Sequence, residues 1–284
     1  MPLPALEPSA VGDTSGLVQR GEYIVRNVAS CGHCHAADPE NPDGPLSGGL
    51  AFSSWRLGTV RASNLTPDRA TGIGGWTDAE VMRAIRNGVD RDGRVLAPVM
   101  PYAWFSGMSD RDALAVARYL RTLAPVRNVV RQDHNLIYAL GELLFLKPEE
   151  SRRSRAPARA PAAEYGEYLA LNVALCGDCH TPRSGLRAEH DMDRLFAGAA
   201  DPPDGFPENP DNLTPDTATG IGSWSEEDFL RTLRSGVNPA GADLHPFMPW
   251  RQIRRMTDDD LRAIYRYLRT VRPIRSDVPD RARD

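Results

Sequence analysis

Apolar residues along this chain recur at spacings of three and four, and no stretch alternates for long enough to predict a strand. From Ser15 onward, Leu17, Ile24 and Val28 fall on one face and predict a helix running towards Cys31. Thr77-Asp78-Ala79-Glu80 predicts a helix start in which the hydroxyl accepts from an early backbone N–H and the acid reaches back. A third helix is predicted from Ser109, with Ala113, Val116, Ala117 and Leu120 as its apolar stripe. The same signatures then return in the same order. Tyr168, Leu169 and Val173 mark the first, Ser225-Glu226-Glu227-Asp228 the second, and Leu261, Ile264, Tyr265 and Leu268 after Thr257 the third. The pattern predicts an all-α fold of two tandem domains, each a few helices.

The return is a duplication that can be followed residue by residue. Gly21-Glu22-Tyr23 and Cys31-Gly32-His33-Cys34-His35 recur 145 residues on, as Gly166-Glu167-Tyr168 and Cys176-Gly177-Asp178-Cys179-His180. Asn64-Leu65-Thr66-Pro67-Asp68 recurs 148 residues on, as Asn212-Leu213-Thr214-Pro215-Asp216. So do Thr71-Gly72-Ile73-Gly74, Trp76, Gly88-Val89 and Met100-Pro101. The second half therefore carries a net insertion of three residues in the loop after its cysteines. The expected organisation is an N-terminal extension over 1–13, domains over 14–126 and 163–284, and a linker with one helix over 127–162. Two copies are too few for a solenoid. Leu136, Leu140, Leu143 and Leu144 form the linker helix's stripe, to be packed on the domains or to serve as a docking face for a partner or membrane surface. Ser151 to Ala163 has the Arg/Ala/Pro composition of a linker, and the tail after Pro273 is expected to be loosely held. Long loops from Asp38 to Asn64 and from Ala197 to Asn212 lack an apolar pattern of their own. Such loops make sense if they wrap a bulky apolar ligand that completes the core.

Composition narrows the classes. A length of 284 residues suits two domains of about 100–150 residues each. A formal net charge of −4 gives no case for nucleic acid. No apolar run approaches the roughly 18 residues of a membrane span. Met1 to Gly16 lacks the basic stretch and apolar core of a secretory signal.

The four cysteines fall as two close pairs, each followed by histidine. Two thiols three residues apart can reach the two vinyl groups of one haem and form thioethers, and the adjacent histidine then meets the iron. Zinc would need further ligands beside each pair, and a redox dithiol would want a βαβ setting. Two copies inside a matching repeat point to two covalently bound haems c, held by Cys31, Cys34 and His35 and by Cys176, Cys179 and His180. Met100 and Met248, each between flanking prolines at matching positions, are the candidate distal iron ligands; a thioether there favours reduced iron. Met108 and Met256 also repeat, beside helix caps, and are expected to pack. His245 has Ala97 as its counterpart, which argues against a ligand role; His33 is expected to be a solvent-facing spacer. Trp76 and Trp224, like Tyr102 and Trp250, have two readings, a contact to haem and its propionates or plain core packing. Arg56 and Arg61 have propionate pairing or surface solvation.

These motifs, with Met-Pro-Tyr and Cys179-His180-Thr181-Pro182-Arg183, resemble the multihaem cytochrome c subunits of periplasmic dehydrogenases, such as those of membrane-bound alcohol and gluconate dehydrogenases. The resemblance covers most of 16–125 and 163–272. It implies His35 and Met100 on one iron and His180 and Met248 on the other. It also implies periplasmic electron transfer between a dehydrogenase donor and a cytochrome or oxidase acceptor, with an export signal that this sequence does not show. Such subunits often carry a third haem domain and a membrane anchor; neither is expected here, leaving a soluble carrier open. The alternative function is a dihaem enzyme such as a peroxidase, which needs one displaceable distal ligand. An equivalent methionine in both halves argues against it.

Overall fold

The computed structural model describes residues 15–54, 58–134, 146–153, 155–184, 189–200 and 209–279. The predicted leucine stripe over 136–144 lies outside the described residues, as does Arg56. The chain divides into two compact units, residues 1–156 and 157–284.

In unit 1, helix α1 (Leu17–Tyr23) continues through a π-helical turn over Ile24–Val28 into α2 (Gly32–His35). Strands β1 (Ala51–Ser54) and β2 (Gly58–Arg61) follow, then α3 (Asp78–Asn87), α4 (Tyr102–Phe105), α5 (Asp110–Leu120) and β3 (Asp133–His134). The frame is the crossing of α1 over α5, with α3 packed on α4 and α5. The crossing is tight because residue 21 is glycine. A Cβ there would sit 2.0 Å from the Ala115 carbonyl oxygen and 2.7 Å from Tyr119 Cβ. Ile24, Val25, Val28, Met108, Leu114 and Leu120 close the core around it.

Unit 2 repeats this frame. It contains α6 (Ala163–Asn172), α7 (Cys176–His180), β4 (Arg183–Ser184), β5 (Glu189–His190), α8 (Glu226–Ser235), α9 (Trp250–Ile253) and α10 (Asp258–Leu268). Helix α6 crosses α10, and Gly166 plays the part of Gly21: a Cβ would lie 1.8 Å from the Ala263 carbonyl oxygen. Tyr168, Leu169, Val173, Met256, Leu261 and Leu268 form the core. Both repeated methionines expected to pack, Met108 and Met256, are buried there.

The predicted capping boxes are present, with Thr77 and Glu80 satisfying each other's backbone N–H on α3 and Ser225 and Asp228 doing so on α8. Ser109 and Thr257 cap α5 and α10.

Three expectations need correction. The fold is helical but not strand-free. β1, β2 and β3 form an antiparallel sheet, with Phe52 opposite Val60 and Thr59 opposite Asp133, and β4 pairs with β5. Each strand has four residues or fewer, too short for alternation to register in the sequence. The tail after Pro273 is held: the Ile274 carbonyl accepts from Asn212 and Thr214, and the Pro279 carbonyl from Asn209. The stretch Ser151 to Ala163, read as a linker, begins bound to unit 1: Ser151 Oγ accepts from Asn87 on α3, Arg152 donates to Ser106 at the end of α4, and the Arg153 carbonyl accepts from Arg86.

Candidate haem sites

Each cysteine-histidine motif sits on a short helix reached through a forced turn. Ser30 (φ 49°) and Leu175 (φ 59°), immediately before the first cysteine of each pair, adopt the left-handed conformation. For a non-glycine residue that costs about 1–2 kcal/mol and persists only where the surroundings impose it. The reversal ends the long first helix and sets α2 and α7 on a new axis, with both cysteines and the histidine of each motif half-buried.

None of the four cysteines is in a disulfide. Burial pushes the Cys31 thiol up to about 11 and the Cys176 thiol up to about 12. A thiol held neutral is the opposite of the low-pKa nucleophile of a redox dithiol. Among the described residues no three His, Cys, Asp or Glu side chains converge as a metal cage would require. The donor set fits haem instead, which asks each thiol and the imidazole to meet a different part of one large ligand.

The histidines carry the clearest geometry. His35 Nδ1 lies 2.8 Å from the Ser63 carbonyl oxygen, and His180 Nδ1 lies 2.7 Å from the Asp211 carbonyl oxygen. Nδ1–H as donor fixes the tautomer and leaves Nε2 as the lone-pair nitrogen, the arrangement of a ligand imidazole oriented by a backbone partner. Burial lowers the pKa of both rings, which keeps them neutral.

The Asn-Leu-Thr-Pro-Asp motif builds that backbone partner. Asn64, directly after Ser63, is 3% exposed. Its Nδ2 donates to Thr71 Oγ1 and the Val126 carbonyl, and its Oδ1 accepts from the Thr66 N–H and hydroxyl. Asn212, directly after Asp211, makes the same four bonds with Thr219, Ile274 and Thr214. Asp68 and Asp216 close the turn by accepting from Thr71 and Thr219 through both hydroxyl and N–H. The motif therefore ties the segment carrying the imidazole's acceptor to the stretch that follows α5 in unit 1 and α10 in unit 2.

Met100 and Met248 occupy matching half-buried turns. Their N–H groups donate to the Ala97 and His245 carbonyls, and their own carbonyls accept from Tyr102 and Trp250 as α4 and α9 begin. His245 Nδ1 accepts from the Phe247 N–H, a structural use within that turn. Trp76 and Trp224 are half-buried, outside the closed core, and neither indole N–H has a partner among the described residues. Arg61 is held by the β3 side of the small sheet, donating to the Arg131 carbonyl.

Two features differ from expectation or escaped it. His33 is half-buried rather than solvent-facing, and burial lowers its pKa. Asp178, at the matching position, pairs with Arg183 at 2.8 Å and with His190 at 3.1 Å, bracing β4–β5 against the second motif. Neither His190 nor Arg183 gave a sequence signal for this, since the pairing exists only once the hairpin has folded back.

No protein-family model matches the chain. It is 32% identical over 270 residues to the gluconate 2-dehydrogenase cytochrome c subunit of Pantoea cypripedii, covering 90% of this chain and 59% of that protein. It is 33% identical over 275 residues to the alcohol dehydrogenase (quinone) cytochrome c subunit of Komagataeibacter europaeus, covering 92% and 57%. The match to the diheme cytochrome c-type protein of Cereibacter sphaeroides runs nearly end to end, at 31% identity over 277 residues, 93% of this chain and 89% of that one. The chain belongs to the multihaem cytochrome c family. The cytochrome spans a little over half the length of the two dehydrogenase subunits it matches. Membership brings haem c as its cofactor class, in agreement with the thiol and imidazole chemistry of α2 and α7. No helix among the described residues of this cytochrome is long and apolar enough to cross a membrane.

Proposed function

We propose that this chain is a dihaem electron-transfer cytochrome with one haem c in each of the domains 14–126 and 163–284. Cys31 and Cys34 hold the first by thioethers, with His35 and Met100 as its axial ligands. Cys176, Cys179, His180 and Met248 do the same for the second, and Trp76 and Trp224 cover them. The observation that carries this reading is the duplicated imidazole geometry, each Nδ1 committed to a backbone carbonyl and each Nε2 left for iron. Bound haem supplies a one-electron iron couple. The chain's own task would be to orient each imidazole, keep it neutral and offer the thioether of Met100 or Met248 from a proline-flanked turn. The dehydrogenase subunits it resembles support a periplasmic dehydrogenase as donor and a cytochrome or oxidase as acceptor.

The test is the optical spectrum of protein made with a c-type maturation system, with haem counted as the pyridine haemochrome. Two covalent haems per chain, both low-spin and with the weak sulfur-to-iron band in the red, are the expected result. One high-spin haem would mean an open distal site and would favour the peroxidase reading. No covalent haem would overturn the assignment.

A further inference from the structure

The duplication places matching surfaces on both units, and among the described residues a chain segment covers the one on unit 1 alone. In unit 1 the groove is floored by the α3 C-terminus and by Tyr102 of α4. An extended stretch of the same unit lies in it. The Glu149 N–H donates to the Asn87 carbonyl at 3.0 Å, and Asn87 Nδ2 returns to the Glu149 carbonyl at 2.7 Å. Further along, the Arg152 N–H donates to the Ser106 carbonyl, and its guanidinium to Ser106 Oγ and the Ala103 carbonyl at 2.7 Å each. Arg86 donates to the Arg153 carbonyl from beneath. This cover leaves Arg86 1% and Tyr102 5% exposed.

In unit 2 the corresponding groove is lined by Ser235, Gly236, Asp243, Leu244, Pro246 and Trp250, with Arg251 at its edge. The framework matches. Leu96 and Leu244 each donate to the carbonyl of the glycine ending the preceding helix, at 2.7 Å in both. The Tyr102 and Trp250 rings both lie where a Cβ on that glycine would be, 2.5 and 2.6 Å from it. No described segment lies across this second groove. Arg234, the counterpart of Arg86, is 33% exposed and turns to the Arg254 carbonyl instead.

We infer that the unit 2 groove is a docking site for an extended acidic peptide segment of a partner protein. The shape follows from unit 1, where the same framework accepts an extended chain through backbone hydrogen bonds. The charge follows from two exchanges. Where Arg152 lies on neutral Ala103 and Ser106, unit 2 presents exposed Arg251 and Arg254, both stacked over the Trp250 ring. An arginine at the register of Arg152 is repelled there, and carboxylates are attracted and hydrogen-bonded by the guanidinium groups. Asp243 also lines the groove and is already engaged in a contact of its own. Pro246 belongs to the turn that carries Met248, so, on the haem assignment above, a segment docked here lies beside the distal side of the second site.

The experiment uses the full, haem-loaded chain and two labelled peptides, read by fluorescence anisotropy. One copies residues 146–153; the other carries Arg152→Glu and Arg153→Glu. The acidic peptide is expected to bind saturably and at least ten times more tightly than the native-sequence copy, and to weaken with added salt. Reversing the surface charge with Arg251→Glu and Arg254→Glu, in protein of unchanged haem content and far-ultraviolet circular dichroism, is expected to reverse that preference. Equal binding of the two peptides, equal binding of the acidic peptide to the reversed protein, or no saturable binding at millimolar peptide would overturn the inference. None of these results depends on the axial ligands, so the haem reading stands or falls separately.

Discussion

On the proposed assignment His35 and His180 ligate iron, a role that needs a fixed ring, and residues outside the cysteine–histidine motifs do the fixing. The acceptors for His35 and His180 are backbone carbonyls, so substitution of Ser63 or Asp211 alone cannot remove them. The handle is the asparagine that follows. Asn212→Ala removes four hydrogen bonds and leaves the buried Thr214 N–H without its acceptor, and is expected to cost about 3 kcal/mol in chemical denaturation. It is also expected to broaden the spectrum of the second haem while leaving the first unchanged; equal effects on both would refute a local positioning role. The aspartates of the same turn make a pH prediction. The Thr71 hydroxyl and N–H hold Asp68 below its usual 3.8, and the Thr219 N–H and hydroxyl do so for Asp216. A depressed folded value means the unfolded chain takes up the proton more readily. The stabilisation is therefore complete above pH 3.8 and is lost as pH falls through the folded value. The double variant Asp68→Asn, Asp216→Asn is expected to show a flatter loss of stability on the acid side, measured by circular dichroism against pH. An unchanged acid slope would show that these turns do not contribute.

Helices were legible from the sequence where their signals are local, and the crossing that organises them was not. Thr77, Ser225, Ser109 and Thr257 announce their helices because a cap is a contact between residues three apart. Thr77→Ala is expected to cost about 1 kcal/mol, and Ser225→Ala the same in the other unit. Gly21 and Gly166 stood out in the sequence only as part of a repeat, since the surface they meet lies on the last helix of each unit. Gly166→Ala brings a methyl group against the Ala263 carbonyl and is expected to cost about 3 kcal/mol or to separate α6 from α10. Thermal melts of Gly166→Ala beside Ala170→Gly, which opens space in the same helix, distinguish overpacking from altered helix propensity. The short strands were invisible for the reverse reason: four residues carry no readable period, and their pairing is fixed by loop closure. The cysteine motifs, by contrast, are runs of adjacent residues, and each falls on one short helix, α2 or α7. The Asp178–Arg183–His190 brace was not legible, because its members meet only across a folded hairpin.

At the scale of the whole molecule, the question is whether duplication made one cofactor site in two parts or two sites. Among the described residues, His35 is oriented through Ser63, Asn64 and Val126 of unit 1, and His180 through Asp211, Asn212 and Ile274 of unit 2. α1 meets α5 closely at Gly21, and α6 meets α10 closely at Gly166. The frames are therefore expected to load independently. Replacing Cys176 and Cys179 by serine should give protein with one covalent haem by pyridine haemochrome, and the surviving haem should retain the sulfur-to-iron band of wild type. Cys31→Ser with Cys34→Ser should give the complementary species, the two difference spectra summing to the parent. Loss of both haems from either variant would mean that loading is cooperative between units, and the self-contained hydrogen-bond frames would then not be sufficient to build a site. Independence also gives the two units room to diverge, as unit 1 has by covering its groove and unit 2 by lining the same groove with arginine. On the proposed reading as a carrier between two partners, that divergence would specialise unit 2 for one of them, beside the turn that carries Met248.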